Sequence, residues 1–492
     1  MARKFNTIKI NKRGGLVPAG DLLNIIRIAR KAGADALRFG TRQQIFFKVP
    51  VGKTEACCEQ LQSQELFTEV NEEIYPNIVS SFAAENVFHQ SAWLREGDYR
   101  DIMDAFSFRP KLKINLVDKD QCFVPFFTGH LNFITSALPN YWYLRVRFPK
   151  SNQLYQWPVL IYSYDIPLLC EALEKLIATA EVAFLEDAQQ KGEMLMALLS
   201  EHKRFITQLA SEELQLPDFR LPYYEGFNMY GQQTWLGIYR RNETFPLGFL
   251  EDLAGLSAQC CITPWKSLII KNINPADRRR WDYVLGKHRI NVRHASNELN
   301  WMVEDGSEEG LILKRMMVHH FDKEDLRTYG LCFAIKTKPK SGLTGSVVIR
   351  RQEMTGKAKS ATDKFDILYT KDFNPNTREL VLFRSRVGKE EMGTYLSALC
   401  KYYYELQHGE DVINHNVYRE GASNEQTPEL SSKMVHQCPY CKTIYDQVYG
   451  DEQQGIAPGV LFASLPEDYC CPTCDTSKTE FVEMDFEREL TV

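Results

Sequence analysis

The sequence lacks any long apolar segment. No run of about 18 apolar residues occurs among its 492 residues, which argues against a helix that crosses a membrane. The first residues, Met1 to Phe5, lead into polar residues and not into the apolar core of a signal peptide. We therefore expect a soluble, cytoplasmic protein with no membrane insertion.

Cysteines are few outside one region. Thirteen occur in all, and nine of them are scattered or form adjacent pairs such as Cys57-Cys58 and Cys260-Cys261. These nine lack the regular spacing of a disulfide framework, and we expect them to be reduced thiols with structural roles. The other four lie near the C-terminus in two Cys-x-x-Cys motifs.

Basic residues are scarce at the C-terminal end. Residues 438–492 hold three basic and eleven acidic residues, a balance of −8, so residues 1–437 carry +3 of the net charge of −5. Residues 1–50 alone carry +9. Opposite charges of this kind would let the two regions dock on each other or steer separate partners, whereas a solvated face is the commoner explanation for any run of charge. A pI of about 6.1 and the lack of a recognisable binding module argue against nucleic acid.

The two motifs, Cys438 to Cys441 and Cys471 to Cys474, are separated by 29 residues. Each motif places two sulfurs on a tight turn, and two such turns face to face supply four thiolates at tetrahedral corners. That geometry suits either iron or zinc. A segment of this size buries little apolar surface, so a bound metal would also contribute to folding.

The segment between the motifs is long and aromatic, exceeding the roughly 15 to 20 residues of common zinc ribbons. Its aromatic residues, with one just beyond, are Tyr445, Tyr449, Phe462, Tyr469 and Phe481. Such side chains can form an apolar sleeve around the sulfurs. Together with Asp446, Gly450, Ile456 to Gly459, Leu465 to Asp468 and Lys478, they resemble rubredoxin across nearly the whole segment.

The rubredoxin resemblance implies one-electron transfer. Carried over by position, it makes four residues the ligands of a single iron that cycles between Fe2+ and Fe3+. These ligands are Cys438, Cys441, Cys471 and Cys474. Four thiolates leave no open coordination position, so the implied site moves electrons without binding a substrate.

The rest of the chain begins with a helix–strand–turn–strand unit that recurs. Apolar residues at helical spacing predict a helix over 18–33, and strands are predicted at 36–40 and 45–49. The pattern returns 222 residues later, with a helix over 249–258 and a turn and strand over 262–270. A repeat of this length predicts a duplicated α+β body.

The repeated unit carries a second resemblance. The segments Arg13-Gly14-Gly15, 37–43 and 263–265 look like those of the sirohaem-dependent nitrite and sulfite reductases, over about residues 5–408. This resemblance implies two related halves, each a ferredoxin-like unit followed by a larger α/β repeat, and a closing helix at 393–406. The predicted fold class is therefore α+β, a duplicated nitrite/sulfite reductase-like body with a small C-terminal rubredoxin-like metal domain.

The catalytic groups of that reductase family are largely missing here. The family supplies two cysteine pairs, spaced Cys-x5-Cys and Cys-x3-Cys, to a 4Fe-4S cluster that shares a thiolate with sirohaem. Between residues 262 and 437 this chain has only Cys332 and Cys400, too few to hold such a cluster. Where the family places basic residues for its anionic substrate, this chain reads Pro76 and the aromatic run 140–143. We expect neither the cluster nor a full anion cage.

Two arginines, Arg38 and Arg42, match family positions that pair with tetrapyrrole carboxylates. The resemblance makes them candidate binding residues for sirohaem or for another anion. The alternative interpretation is a pair of surface arginines at a sheet edge. The retained arginines favour a tetrapyrrole, and the missing cysteines argue against one.

The predicted domains are a first reductase-like half at 1–220, a second at 221–410, a flexible linker at 411–436 and an iron domain at 437–484. The leading hypothesis is an electron carrier, favoured over a catalytic reductase, that serves a redox partner recognised by the body. Family analogy points to a nitrite, nitrate or sulfite reductase as that partner. One alternative is a divergent tetrapyrrole-binding oxidoreductase fed by its own rubredoxin domain, and another is a zinc-stapled adaptor without redox activity.

Overall fold

The chain divides into two compact units, Met1–Gln407 and His408–Val492, which we call the body and the C-terminal unit. The computed structural model describes all residues except 1–3, 150–152, 203–204, 258, 293–295, 339–340, 353–362, 418–433, 440–443, 446, 448–449, 452–453, 458, 473–475 and 486–492. Within the described part of the chain, no helix is both long and apolar enough to cross a bilayer.

The body alternates short strands with helices. Its strands are β1 (Phe5–Asn11), β2 (Leu16–Pro18), β3 (Ala36–Phe39), β4 (Gln44–Pro50), β5 (Thr68–Val70), β6 (Val79–Ser80), β7 (Ile114–Val117), β8 (Leu131–Thr135), β9 (Tyr141–Arg147), β10 (Leu154–Gln156), β11 (Val159–Tyr162), β12 (Thr207–Leu209), β13 (Gly226–Tyr230), β14 (Gln233–Ile238), β15 (Phe245–Pro246), β16 (Gln259–Ile262), β17 (Leu268–Ile273), β18 (Trp301–Val303), β19 (Phe333–Lys336), β20 (Val347–Arg351), β21 (Phe365–Thr370) and β22 (Leu380–Val387). Its helices are α1 (Ala19–Ala32), α2 (Thr54–Gln62), α3 (Glu96–Asp104), α4 (Ile166–Ile177), α5 (Ala180–Ala183), α6 (Ala188–His202), α7 (Leu247–Ala254), α8 (Arg278–Lys287), α9 (Glu308–Lys323) and α10 (Lys389–Val417).

Two five-stranded antiparallel sheets interlock the halves of the body. One has the strand order β15-β3-β4-β1-β5 and the other β13-β14-β17-β16-β2. Each sheet takes an edge strand from the other half, since Phe245 of β15 pairs with Leu37 and Val17 of β2 pairs with Cys260. Main-chain hydrogen bonds therefore join the two predicted halves, whose boundary at residue 220 stays a prediction.

Two further sheets, one of seven strands and one of five, contain both parallel and antiparallel strands. The first has the order β12-β11-β9-β8-β7-β6, with β10 beside β9, and the second the order β18-β19-β20-β21-β22. In each sheet three successive strands pair in parallel, and the fourth then pairs antiparallel with the third. This shared order of pairings confirms the predicted duplication of an α+β body.

The hydrophobic cores of the body contain residues from both halves. The two antiparallel sheets share one core, in which Ile10 and Ile25 belong to the same cluster as Leu250 and Ile270. Trp265 of the second half is fully buried in the core of the large first-half sheet, where its Nε1 donates to the carbonyl of Phe123 at 2.9 Å.

Most elements predicted from the repeat are confirmed. The helix predicted over 18–33 is α1, and the strands predicted at 36–40 and 45–49 are β3 and β4. The helix predicted over 249–258 is α7, which ends four residues earlier, at Ala254, before Gly255. The segment predicted as a turn and strand contains the end of β16 and the start of β17. The closing helix predicted over 393–406 is α10, which begins at Lys389 and continues to Val417.

The linker predicted at 411–436 falls largely outside the described residues. Helix α10 covers its first part to Val417, residues 418–433 are not described, and a strand begins at Met434. The linker thus stays a prediction.

The end of α1 supplies a test of these local signals. Gly33 caps the helix with φ of 91°, a left-handed backbone that disfavours side chains. We expect Gly33→Ala to lower the free energy of unfolding by about 1 kcal/mol, because the added Cβ strains that conformation. The measurement is urea unfolding followed by circular dichroism.

The matched control is Gly20→Ala in the same helix. Gly20 is exposed, and an added Cβ would meet nothing within 4 Å. Alanine is the better helix former, so this variant should be neutral or up to about 1 kcal/mol more stable. Equal effects of the two substitutions would contradict the assigned cap.

Candidate metal centre and basic cavity

The C-terminal unit is built on a small antiparallel sheet. Its strands are β23 (Met434–Gln437), β24 (Ile444–Tyr445) and β25 (Val482–Asp485), in the order β24-β23-β25. Cys438 directly follows β23, whose last residue pairs with the first residue of β24. The first motif therefore begins where the chain leaves one strand of this hairpin.

The second motif begins in another turn. The backbones of Cys470 and Ser477 form an isolated antiparallel β-bridge. The N–H of Cys471 donates to the carbonyl of Thr476 at 2.8 Å. Lys478 closes the same turn, since its N–H donates to the carbonyl of Tyr469 at 2.9 Å. Both described motif cysteines thus lie at the start of turns.

Two of the four predicted ligands are among the described residues. Cys438 and Cys471 are both fully buried, with 0% of their surface exposed. Cys441 and Cys474 lie outside the described residues, so the complete ligand set stays a prediction. Buried thiols at the start of two turns fit a tetrahedral thiolate site for iron.

An aromatic cluster forms the core of the C-terminal unit. Tyr445, Leu465 and Tyr469 are each 4% exposed, and Phe462 and Phe481 pack against them. The Tyr445 and Phe462 rings are 5.6 Å apart, and those of Tyr469 and Phe481 are 6.2 Å apart. The predicted aromatic residues therefore pack together, except Tyr449, which lies outside the described residues.

Two residues of the predicted motif have evident structural roles. Gly450 has φ of 69°, and a Cβ there would lie 2.5 Å from the carbonyl oxygen of Ile456. Only glycine fits such a position without a shift of the backbone. Lys478 Nζ donates to the carbonyls of Ala463 and Leu465, at 3.1 and 2.6 Å, and fixes the loop between them.

In the body, the structure separates the two candidate arginines. Arg38 on β3 is partly buried, and its Nε donates to Thr244 Oγ1 at 3.1 Å. Arg42, in the turn after β3, is 8% exposed, and its Nη2 donates to the carbonyls of Asn77 and Ile114 at 2.7 and 2.9 Å. The two arginines line different cavities, and the guanidinium of Arg42 is largely engaged by protein oxygens.

Arg42 borders a cavity of about 290 Å³, which we call the basic cavity. Lys113, Thr128, Lys338 and Gly342 also line it. Lys113 Nζ has no hydrogen-bond or ion-pair partner among the described residues. A Cβ placed on Gly342 would lie 3.7 Å from Lys113 Nζ and 3.9 Å from Arg147 Nη2, so both cations approach this glycine.

The cationic side chains around the basic cavity repel one another. Burial, together with Arg42 and Arg147, lowers the pKa of Lys113 to about 8. Burial and the same two arginines, with Lys113, lower the pKa of His130 to about 3, so this ring is neutral at pH 7. Buried cations that repel one another make a favourable environment for an anion.

The sequence analysis singled out neither Lys113 nor Arg147 as a candidate site residue. Lys113 precedes β7 and Arg147 ends β9, and β8 lies between these two strands. The only local signal was the alternation of Lys111 with Lys113, which is also typical of an exposed strand. Their convergence depends on strand order within the sheet.

The basic cavity is small and is bordered by charges of both signs. Its volume of about 290 Å³ lies at the lower end of the range of roughly 300 to 1,000 Å³ for pockets that hold drug-sized ligands. Three carboxylates, Glu73, Glu304 and Asp305, border the same space as its cations. Cys332 and Cys400 are fully buried in the body, and burial raises their pKa values to about 11 and about 12. Both are therefore protonated thiols at neutral pH.

Comparisons with known proteins agree with this geometry. Residues 435–481 match the rubredoxin family. The chain is 37% identical over 83 residues to a high molecular weight rubredoxin of Moorella thermoacetica, covering 17% of this chain and 35% of that protein. It is 46% identical over 50 residues to a rubredoxin of Megasphaera elsdenii, covering 10% of this chain and 94% of that protein. The chain thus spans about a third of the Moorella protein and nearly all of the Megasphaera protein.

A solved structure resembles the body. The NirA protein of Mycobacterium tuberculosis superposes with a TM-score of 0.61 and 15% sequence identity, over 80% of each chain. At this identity the likeness shows the fold, and the expected nitrite/sulfite reductase-like fold is confirmed. Residues 435–481 are a rubredoxin domain, and through that domain the chain belongs to the rubredoxin family.

Proposed function

We propose that this chain is an electron-transfer protein that carries one electron at a time on a single iron held by its rubredoxin domain. The observation that carries the proposal is the burial of Cys438 and Cys471 at the start of two turns in a domain of this family. The proposed ligands are Cys438, Cys441, Cys471 and Cys474. When bound, the iron supplies a one-electron couple.

The residues of the domain set the conditions for that couple. Complete burial of Cys438 and Cys471 excludes water from their sulfurs and lowers the local dielectric constant, two properties that tune a redox potential. The packed aromatic cluster around Tyr445 and Tyr469 keeps the fold rigid, so little reorganisation accompanies the gain or loss of an electron. Four thiolates leave no position for a substrate.

The body is proposed to recognise the redox partner. Its fold is that of a reductase, and the proposed partner, by analogy of fold, is a nitrite, nitrate or sulfite reductase. The charge of −8 on residues 438–492 suits electrostatic steering towards a basic surface. The zinc-stapled adaptor remains the competing function, and metal analysis separates the two.

The decisive variant is Cys471→Ser. We expect it to abolish the reversible one-electron couple, because one of the four thiolates is lost, while the body keeps its thermal unfolding transition. The measurement is absorption spectroscopy during a redox titration, together with metal analysis of the purified protein.

The neighbouring Cys470 provides the matched control. Its thiol is only partly buried and donates to the carbonyl of Asp468, so Cys470→Ser should keep the metal and the couple. Normal redox cycling in Cys471→Ser would contradict the ligand assignment. Zinc without iron in protein from the native host would favour the adaptor.

Removal of the metal should unfold the C-terminal unit alone. Its described core contains only three fully buried apolar side chains beyond the cysteines, Tyr445, Leu465 and Tyr469, which is little for independent stability. We expect amides of residues 434–485 to lose protection in hydrogen exchange after chelation, while the body amides keep theirs. Unchanged protection throughout would show that the metal is dispensable for folding.

We also infer a second function, binding of a small anion by the body at the basic cavity. The specific observation is Lys113 Nζ, which faces the cavity close to Arg147 and has no partner among the residues that the structure describes. Because the cavity has a volume of only about 290 Å³, a small inorganic anion is the better-supported ligand. Such binding would relieve the repulsion among the buried cations.

The pH dependence of the free energy of unfolding tests whether Lys113 is surrounded by other cations as described. The folded-state pKa of Lys113 lies near 8, below its ordinary value of 10.5, so the unfolded chain binds more protons between these pH values. Stability without added anions should therefore rise with pH in this window, by an amount on the order of 3 kcal/mol. Burial, Arg42 and Arg147 depress the pKa of Lys113, and Glu73 and Asp305 partly oppose them.

We expect Lys113→Met to remove this rise and to weaken stabilisation by sulfate at pH 7, both measured by urea unfolding. The control is Lys175→Met, whose exposed ammonium pairs with Glu171 at 2.7 Å. The same pH profile in both variants would mean that Lys113 is not held as described.

A further inference from the structure

A second basic pocket lies apart from the cavity at Arg42 and Lys113. Its volume is about 840 Å³, within the range of pockets that hold small organic ligands. Its basic residues come from four segments: the paired strands β3 and β4, the loop after β14, the loop after α8, and the first turns of α9. We call it the arginine pocket.

Cations outnumber anions in the arginine pocket. Its lining includes six basic residues, which are Arg38, Lys48, Arg240, Arg241, Arg289 and Arg315. It includes three carboxylates, which are Glu225, Glu298 and Glu308. Arg241 pairs with Glu298 at 2.5 Å, and Glu225 accepts a hydrogen bond from Tyr223 at 2.8 Å. Five cations therefore remain against two carboxylates, Glu225 and Glu308.

Several of these arginines are held by one nitrogen only. Arg38 Nε donates to Thr244 Oγ1 at 3.1 Å, and Arg240 Nε donates to the Thr244 carbonyl at 3.3 Å. Arg315 Nε donates to the Leu311 carbonyl at 3.3 Å. Their terminal Nη groups have no protein partner among the described residues. Each guanidinium is thus anchored at its base while its outer donors remain open to a ligand.

Arg289 occupies a backbone position that favours glycine. It follows α8 with φ of 53°, and its N–H donates to the carbonyl of Gly286 at 3.1 Å, as at the end of many helices. An arginine there costs stability relative to glycine. Strain of this kind concentrates at functional sites, and here it places another cation in the pocket.

We propose that the arginine pocket binds a small molecule that carries two or more phosphate groups, of about the size of a nucleotide. Planar guanidinium groups bind phosphate oxygens through paired N–H donors, which suits arginine better than lysine for this task. The cations come from four segments around the pocket, so they contact more than one phosphate group. The pocket volume accommodates an organic portion beside the phosphates.

The test is isothermal titration calorimetry of the full chain with ADP and with inorganic pyrophosphate at low ionic strength. We expect saturable binding of one ADP per chain, and we expect pyrophosphate to compete with ADP for the pocket. Arg289→Gly and Arg315→Gln should each weaken ADP binding about tenfold or more, as expected for the loss of a charge-assisted contact. Arg289→Gly should also raise the midpoint of thermal unfolding, so its loss of binding cannot come from misfolding.

The control for total charge is Arg279→Gln. Arg279 is exposed on α8 and does not line the pocket, so this variant should bind ADP like the unaltered protein. Absence of saturable binding of both probes, or an equal loss in Arg279→Gln, would overturn the proposal. Binding of a glutamate-rich peptide in place of ADP would overturn it as well, because the pocket would then recognise an acidic protein segment.

Discussion

The exchange of edge strands between the two halves is the constraint on which the rest of the body depends. Strand β2 completes the sheet of the second half and β15 that of the first, so neither half has a full set of main-chain partners by itself. The exchange accompanies a second link, in which the N–H of Thr41 donates to Asp305 at 3.1 Å. The turn that carries Arg42 is thereby held against the second half.

Charges buried along this junction fall into two kinds. Lys266 pairs with Glu243 at 2.9 Å and with Asp305 at 3.3 Å, so its ammonium group has two carboxylate partners. Lys113, in contrast, faces a cavity near Arg147, and its ammonium group has no partner within the described part of the chain. The first arrangement stabilises the junction between the halves, whereas the second leaves a cost that an added anion would offset.

The C-terminal unit has a much smaller hydrophobic core than the body. The body buries extensive cores that contain residues of both halves, whereas the described core of the rubredoxin domain consists of a few apolar side chains. Under the proposed function, the cysteines that hold the iron would also hold the domain together.

Sequence by itself determined the local and the repeated features. The spacing of Leu22, Ile25 and Ala29 with a terminal Gly33 was enough for α1, and two Cys-x-x-Cys motifs with an aromatic spacer were enough for the rubredoxin domain, because each signal lies within one short segment. Only the tertiary structure decided that the halves exchange strands and that Lys113 approaches Arg147. Such proximity depends on strand order and on long-range pairing, which no local pattern of residues encodes.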